Sequence, residues 1–285
     1  MYKRQGLGGR LDAVNIIDPD VALITSISMD HAEWLGNDRE AIAIEKAGIM
    51  RAGRPVVFSG RNMPNSLADH ALTLGASLSV LGRDFDYQPY QTDWQWQVTN
   101  QPAIRLPRPA LTGHHQLDNA AGVLMALSCL AQQLPVSESA MQQGLQAVSL
   151  PGRFQVITTD VTWVLDVAHN PDGVARLAEL LAATPVSGRT LAVIGMMQDK
   201  DMPAVINQLQ PEVDAWYTAN LSTPRSADAN KLADIIRSQC HEVEVVACSD
   251  VLSACKAAKA AVRDDDRILV CGSFYTVAAA LSHSI

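Results

Sequence analysis

Polar side chains follow short apolar runs at several points along this chain, and they are the first candidates for chemistry. Asp30 and His31 come shortly after the apolar, β-branched run 20–27. Such a run is typical of a buried parallel strand, and active sites in parallel sheets lie at the carboxyl ends of the strands. Because a neutral imidazole there can coordinate a divalent cation, His31 is a candidate metal ligand, with an ordinary polar loop residue as the alternative.

Lys46 is a candidate of another kind, fifteen residues after His31. Taken alone, a lysine in a predicted helix is a solvated surface residue. Its amine becomes reactive only where burial lowers its pKa enough to leave it neutral. The sequence leaves both interpretations open.

The second half of the chain repeats the arrangement of a strand followed by polar residues. Asp166 and His169 end an apolar run and lead into Asn-Pro, which is itself a good helix start. Arg153, in Pro-Gly-Arg-Phe, could reach phosphates across a cleft between domains or be an ordinary surface arginine. Ser273 follows Cys271 and a glycine, where a hydroxyl and backbone amides suit either a carboxylate ligand or a plain helix cap.

An alternation of strands and helices has to position these residues, and it predicts an α/β fold with parallel sheets. Residues 84–110, with two tryptophans and four prolines, interrupt the alternation and predict an antiparallel excursion, after which a helix is expected over about 115–134. The Leu-Pro-Gly-Arg segment at 150–153 marks a domain boundary. Beyond it we predict a doubly wound domain with strands near 154–158, 163–166, 190–194, 215–219, 243–246 and 268–271.

Composition excludes several classes of protein. The net charge of −8 and the lack of Lys/Arg runs speak against a nucleic-acid partner. No apolar run approaches the roughly 18 residues of a membrane span, so no membrane partner is expected. The five cysteines form no Cys-x-x-Cys pair, which favours a reduced, cytoplasmic protein.

Three segments together resemble the central domain of the Mur ligase superfamily, whose ATP-dependent enzymes join a carboxylate to an amino acid. They are the glycine-rich run 6–15, Asp30-His31 and the run 45–49. Within the superfamily the chain is most similar to the bifunctional dihydrofolate synthase/folylpolyglutamate synthases, and matching motifs continue in order to nearly the carboxyl end. The resemblance implies a partial central ATPase domain over 1–150 and a Rossmann-like glutamate-ligase domain over 151–285.

The resemblance also implies a reaction: ATP phosphorylates a carboxylate of dihydropteroate or tetrahydrofolate, and the amine of L-glutamate displaces phosphate from the acyl phosphate. The implied cofactors are Mg²⁺ and ATP as co-substrate, with K⁺ or another monovalent cation also compatible, and the enzyme is expected to be a monomer. The implied residues are His31 and carbamylated Lys46 for the metal; Leu11, Asp12 and Ala13 for the pterin; Asn119, Arg153 and Asp166 for ATP; His169 and Ser273 for glutamate; and Lys46 and His169 for catalysis.

Two departures from the family pattern qualify this expectation. No Gly-x-x-x-x-Gly-Lys-Ser/Thr phosphate loop occurs in the 285 residues, and Arg4 stands where a metal-binding Glu is expected. We therefore expect a carboxy-terminal portion of a ligase that does not bind ATP productively alone. A peptidoglycan- or cyanophycin-type Mur ligase and a degenerate, non-catalytic binding module remain alternatives. An unrelated dinucleotide-binding protein is disfavoured because no Gly-x-Gly-x-x-Gly follows a strand.

Overall fold

A computed structural model gives the structure of the protein and describes residues 9–27, 38–240 and 242–283. The chain divides into two compact units, the first ending at Val148 and the second beginning at Ser149. In the described ranges no helix is both long and apolar enough to cross a lipid bilayer.

The first unit contains a parallel sheet in the order β1-β2-β3. Its strands and the helices between them are β1 (Ala22–Ile24), α1 (Arg39–Ala47), β2 (Pro55–Phe58), α2 (Asn65–Leu74) and β3 (Ser77–Val80). Asp38 caps α1 by accepting a hydrogen bond from the amide of Glu40, and Gly75 ends α2 in the left-handed conformation, with φ 69°. The strand–helix alternation predicted for this region is confirmed.

An antiparallel sheet of three strands follows, as the break in the sequence pattern predicted. Its strands are β4 (Phe85–Pro89), β5 (Asp93–Val98) and β6 (Ile104–Pro107), and two helices complete the unit, α3 (His114–Cys129) and α4 (Glu138–Ala147). Trp94 and Trp96 lie two residues apart on β5 and are both buried, because alternate side chains of a strand share one face. They pack in one cluster with Leu117 and Leu124 of α3.

The helix α3 is shorter than expected. The sequence predicted helix to about residue 134, whereas α3 ends at Cys129 and residues 131–135 are all exposed. Leu134 precedes Pro135, and the proline ring disfavours the helical conformation of the residue before it. Because residues 131–135 also bury no apolar face, packing does not stabilise further helical turns between Cys129 and Pro135.

The second unit is built on a six-stranded sheet in the order β11-β10-β9-β12-β8-β7. The strands are β7 (Gln155–Thr158), β8 (Thr162–Leu165), β9 (Thr190–Ile194), β10 (Ala215–Ala219), β11 (Glu244–Cys248) and β12 (Arg267–Cys271); the helices are α5 (Pro171–Ala183), α6 (Met202–Leu209), α7 (Ala229–Gln239), α8 (Val251–Ala261) and α9 (Phe274–His283). All neighbours pair in parallel except the edge strand β7, which forms an antiparallel hairpin with β8.

Two apolar clusters cover the two faces of this sheet. One contains Leu177, Val205 and Leu232 of α5, α6 and α7, and the other contains Ala254 and Val277 of α8 and α9. Strands β9, β10 and β12 are buried along their whole length, which explains their continuous apolar sequences. The predicted doubly wound arrangement is therefore confirmed.

Candidate functional site

A crevice is expected in the second unit where β8 and β12 end side by side. The two strands pair in parallel, with Leu165 opposite Val270. The helix after β8 packs on one face of the sheet and the helix after β12 packs on the other. Ligands of open α/β sheets bind at such a switch point, outside the carboxyl ends of the strands. The segments 166–170 and 272–274 both lie there, and they carry Asp166, His169 and Ser273.

The carboxylate of Asp166 joins two loops through backbone amides. Its Oδ2 accepts a hydrogen bond from the amide of Phe154 at 2.8 Å, and its Oδ1 accepts one from the amide of Ala168 at 2.8 Å. Burial raises the pKa of Asp166 above its ordinary value, although these amides and the charges of Arg153 and His169 act in the opposite direction. Each carboxylate oxygen retains acceptor capacity for a ligand hydroxyl.

The turn that carries Arg153 is closely packed at its backbone. Gly152 has φ 72°, and a Cβ there would lie 2.8 Å from Cγ1 of Val167, so only glycine fits without rearrangement. Its carbonyl accepts a hydrogen bond from the amide of Val167 at 2.9 Å, and Phe154 adopts φ 44°. The Arg153 side chain is exposed and its guanidinium carbon lies 5.5 Å from the centre of the Phe274 ring. A rigid turn thus presents a solvent-accessible guanidinium.

The His169 imidazole is half-buried and oriented by the main chain. Its Nδ1 lies 2.8 Å from the carbonyl oxygen of Val167. Because a carbonyl only accepts, Nδ1 carries the proton, and in the neutral ring Nε2 is then the unprotonated nitrogen. The next residue, Asn170, caps α5 by accepting a hydrogen bond from the amide of Gly173 at 2.8 Å, with Pro171 in the first turn.

Ser273 is buried and its hydroxyl serves as a helix cap. Its Oγ accepts a hydrogen bond from the amide of Thr276 at 3.0 Å and lies 2.7 Å from the Thr276 hydroxyl, which donates to the carbonyl of Gly195 at 2.7 Å. Ser273 is therefore the donor toward Thr276. Of the two roles that the sequence left open, the capping role is the one its hydroxyl performs here, and glutamate binding stays a prediction.

In the first unit, Lys46 lies half-buried in the last turn of α1. The turn at Gly9 and Arg10 packs against this end of the helix. Glu45 pairs with Arg10 through Oε1 and Nη2 at 2.8 Å, and its carbonyl accepts from the Arg10 amide at 2.9 Å. A Cβ on Gly9, which has φ 132°, would lie 3.3 Å from the Cα of Lys46, and one on Gly48 would lie 2.5 Å from the Cβ of Arg10. The turn before Leu11 therefore contacts the helix that carries Lys46.

Residues 11–13 follow this turn and are largely exposed. Asp12 accepts a hydrogen bond from the amide of Val14 at 3.0 Å and begins a short 3₁₀ helix, Ala13–Ile16. Leu11 is 78% exposed, and Val14, Ile16 and Ile17 are exposed as well. The predicted pterin residues thus follow the turn that packs against the helix of Lys46, and they begin a largely exposed segment that carries several apolar side chains.

Asn15 was not singled out from the sequence, yet it holds this segment in place. Its side-chain nitrogen donates to the carbonyls of Arg10 at 3.1 Å and Gly48 at 3.0 Å, and its own carbonyl accepts from Arg51 at 2.7 Å. The pattern around it, an Asn shortly after a glycine-rich turn, gave no indication of the helix it would bridge to.

Asn119 lies in the second turn of α3 and is half-buried. Its Nδ2 donates to Oε1 of Gln116 at 3.2 Å, and Gln116 is within 3.1 Å of the His115 ring. The adjacent Asp118 accepts from Arg61 and from the Tyr87 hydroxyl, each at 3.0 Å. Burial, together with the charge of Asp118, raises the pKa of Tyr87. These partners orient the start of α3.

His31, the predicted metal ligand, lies outside the described residues. Within residues 9–27, 38–240 and 242–283, no group of three or more His, Cys, Asp or Glu side chains is arranged to hold a metal ion. A carbamylated lysine would add oxygen donors that the unmodified Lys46 does not have.

Comparison with known proteins places these residues in context. Residues 152–274 match the family described as Mur ligase, glutamate ligase domain. The dihydrofolate synthase/folylpolyglutamate synthase of Escherichia coli is 42% identical over 96% of this chain and 62% of its own length.

Solved structures agree with this match. Escherichia coli FolC in complex with DHPP and ADP is 41% identical, has a TM-score of 0.89 and is aligned over 97% of this chain and 64% of its own. A bifunctional folylpolyglutamate synthase/dihydrofolate synthase with Mn, AMPPNP and L-glutamate bound is 42% identical, with a TM-score of 0.86 and the same two coverages. The chain therefore spans less than two thirds of the length of these relatives.

Proposed function

We propose that this chain is a Mur-type ligase that serves ATP-dependent ligation of L-glutamate, because residues 152–274 match the Mur ligase glutamate ligase domain and the chain is 42% identical to the Escherichia coli dihydrofolate synthase/folylpolyglutamate synthase over 96% of its length. The proposed acceptors are dihydropteroate and the γ-carboxylate of tetrahydrofolate. The γ-phosphoryl group of ATP passes to the acceptor carboxylate, the glutamate amine attacks the acyl phosphate, an amide bond forms and phosphate leaves. The cytoplasm as location and a monomer as the working state belong to the same proposal.

The observation that supports the proposal is the grouping of three side chains. Asp166 and His169 follow the carboxyl end of β8, and Arg153 lies in the adjacent turn. Arg153 offers a fixed, exposed guanidinium that would neutralise phosphate charge, which is the main requirement of phosphoryl transfer. Asp166 offers carboxylate oxygens that would accept ribose hydroxyls. His169, with its ring oriented by the main chain, would hold the incoming glutamate.

The first unit would supply the metal and the acceptor sites. A divalent cation, which we propose to be Mg²⁺, would be held by His31 and a Lys46 carbamate, and it would supply charge neutralisation at the transferring phosphoryl group. A monovalent cation such as K⁺ is part of the proposal. Leu11, Asp12 and Ala13 would contact the pterin, and Asn119 the nucleotide. Ser273 would assist in glutamate binding through the start of α9.

A chimera tests the ligase proposal directly. Residues 9–283 would replace the matching segment of the Escherichia coli enzyme, whose remaining part, more than a third of its length, supplies the rest of the fold. The assay follows incorporation of labelled L-glutamate into dihydropteroate with ATP and Mg²⁺. We expect ATP-dependent turnover that falls at least tenfold in Arg153→Ala and stays unchanged in the control Arg237→Ala, whose side chain pairs with Asp234 on the surface of α7.

Two results would contradict the proposal. A folded chimera without glutamate incorporation would exclude the proposed ligase chemistry. Turnover with a nucleotide-linked muramoyl acceptor in place of dihydropteroate would instead assign the chain to a peptidoglycan-type ligase. The unfused 285-residue chain, assayed in parallel, is expected to be inactive, and turnover by it would overturn that expectation.

The Lys46 carbamate is tested separately from turnover. Incubation of the chain with ¹³C-labelled bicarbonate should give a carbamate resonance in the carbon spectrum that is missing from Lys46→Ala and present in Lys200→Ala. An unchanged spectrum in Lys46→Ala would contradict the modification.

A further inference from the structure

Phe274 connects two residues that the sequence analysis treated separately. The guanidinium carbon of Arg153 lies 5.5 Å from the centre of the Phe274 ring, and the His169 ring centre lies 6.2 Å from it at an interplanar angle of 51°. The Phe274 ring is 45% exposed, although large apolar side chains of this unit are mostly buried. Since nearly half of Phe274 is exposed and its ring lies near both Arg153 and His169, core packing alone does not account for its position.

The main chain beneath all three residues is fixed. The amides that flank Arg153 and His169, those of Phe154 and Ala168, both donate to the single carboxylate of Asp166. The start of α9 is fixed as well, because the Gly272 amide donates to the carbonyl of Ala168 at 3.0 Å. The positions of the backbones are therefore set, but an arginine side chain on a fixed backbone still samples many rotamers.

We propose that Phe274 is a positioning residue that holds the Arg153 guanidinium and the His169 imidazole side by side at the crevice. A cation is attracted to the negative face of an aromatic ring, and the attraction reduces the rotamers of the guanidinium before an anion arrives. Phe274 does not itself touch the reacting atoms in this proposal. The inference rests on the proposed function, in which Arg153 binds the phosphates of ATP and His169 holds the incoming glutamate.

The test uses the full 285-residue chain and the side-chain NMR signals of Arg153 and His169. An aromatic ring shifts the signals of protons lying over its face upfield, so the Arg153 methylene protons should be shifted in the natural protein. We expect Phe274→Leu to abolish the shift and Phe274→Tyr to preserve it. Arg61, whose guanidinium lies 4.8 Å from the centre of the Tyr87 ring in the first unit, serves as an internal reference that Phe274→Leu should not alter.

A titration with inorganic tripolyphosphate measures the consequence for binding. We expect Phe274→Leu to weaken binding about two- to fivefold, the range of a cation–π contact at an exposed site, and Phe274→Tyr to restore it. Because the ring is half-exposed, Phe274→Leu should fold normally, which the unchanged Arg61 signal and the thermal transition would verify.

The outcomes separate the inference from the proposed function. An Arg153 shift that persists in Phe274→Leu, or natural affinity in that variant, overturns the positioning role. A shift that is lost in Phe274→Leu while no variant binds tripolyphosphate supports the positioning role and counts against phosphate binding by Arg153 in this chain, whereas the chimera assay decides the proposed use of ATP.

Discussion

The two units hold their candidate residues in different ways. In the second unit, Asp166 and His169 follow β8, three of whose four residues are buried, and Ser273 follows β12, which is buried throughout. Two backbone amides fix the Asp166 carboxylate, the Val167 carbonyl orients His169, and the Thr276 amide donates to Ser273. In the first unit, residues 11–13 lie on an exposed segment that is attached to α1 by the Arg10–Glu45 pair and by Asn15. Residues at the edge of a buried core are held in place as long as their unit is folded. A segment attached by exposed polar contacts can detach locally while the rest of its unit stays folded.

A matched pair of glycine substitutions should show this difference most strongly. In Gly272→Ala, with φ 100°, the new Cβ would lie 2.7 Å from the carbonyl oxygen of Gly195, which the end of β9 keeps in place. Backbone strain and overpacking together should cost about 3 kcal/mol of the free energy of unfolding. In Gly48→Ala the Cβ would lie 2.5 Å from Cβ and 2.8 Å from Cα of Arg10. Displacing this exposed segment breaks only a few polar contacts and leaves the buried core intact, so the expected cost is smaller, about 1 kcal/mol. Urea unfolding compares the two, and equal costs would contradict the distinction.

The Asp166 junction gives the next largest effect. Asp166→Asn keeps the size of the side chain but turns an NH₂ group toward one of the two backbone amides, leaving a buried donor without an acceptor. We expect a loss of about 2 kcal/mol in the free energy of unfolding. Asp172→Asn, in the exposed first turn of α5, should lower the free energy of unfolding by only about 0.5 kcal/mol. Similar costs for both variants in chemical denaturation would show that Asp166 does not join the two loops.

Two aspartates of the second unit, Asp166 and Asp266, should affect the pH dependence of the free energy of unfolding in opposite directions. The folded pKa of Asp166 is raised by burial above 3.8, so the free energy of unfolding should rise as the pH falls through that pKa. Burial also disfavours the charge of Asp266, but hydrogen bonds from the Arg189 and Arg263 amides and from the Arg189 guanidinium outweigh it and lower its pKa. The stabilisation by Asp266 is present above pH 3.8 and is lost as the pH falls through its folded pKa.

The measurement is urea unfolding of the natural chain, Asp166→Asn and Asp266→Asn between about pH 3 and 6. Acidification should raise the free energy of unfolding through Asp166 and lower it through Asp266. Relative to the natural chain, Asp166→Asn should lack the first contribution and Asp266→Asn the second. The same pH slope in both variants would contradict the assigned directions.

The smallest effect on global stability is expected from Arg10→Ala. The Arg10–Glu45 pair is partly exposed, and such pairs contribute about 0–1 kcal/mol. The substitution should leave the unfolding transition nearly unchanged but accelerate amide hydrogen exchange of residues 10–17. Arg54→Ala, which removes the exposed pair with Asp20, is the control. Unaltered exchange in Arg10→Ala would show that the segment is held by other contacts.

The sequence predicted the fold better than the contacts of the site. Strands β9 and β10 were predicted to the residue, because continuous apolar runs between polar ends identify fully buried strands. The antiparallel hairpin formed by β7 was not predicted, since β7 has the same kind of sequence as the parallel strands. A run of residues carries no information about the direction of its neighbour.

The predicted site residues of the second unit lie together, but what fixes them was not foreseen. The Asp166 junction depends on a φ of 44° at Phe154, a conformation that no residue propensity predicts. Phe274 is more than one hundred residues from Arg153 and from His169 in the sequence, so their proximity exists only in the folded sheet. The roles of Ser273, Asn119 and the pterin segment remain predictions.

The position of β12 in the sheet has a consequence for how the second unit is made. Residues 267–271 pair with β8 on one side and with β9 on the other, although both partners precede them by more than seventy residues. During synthesis β8 and β9 leave the ribosome without the strand that separates them, and they expose the edges that β12 will later cover. The sheet can close only after this late segment emerges, so we expect its assembly to be slow and its nascent intermediate to be a preferred substrate for chaperones.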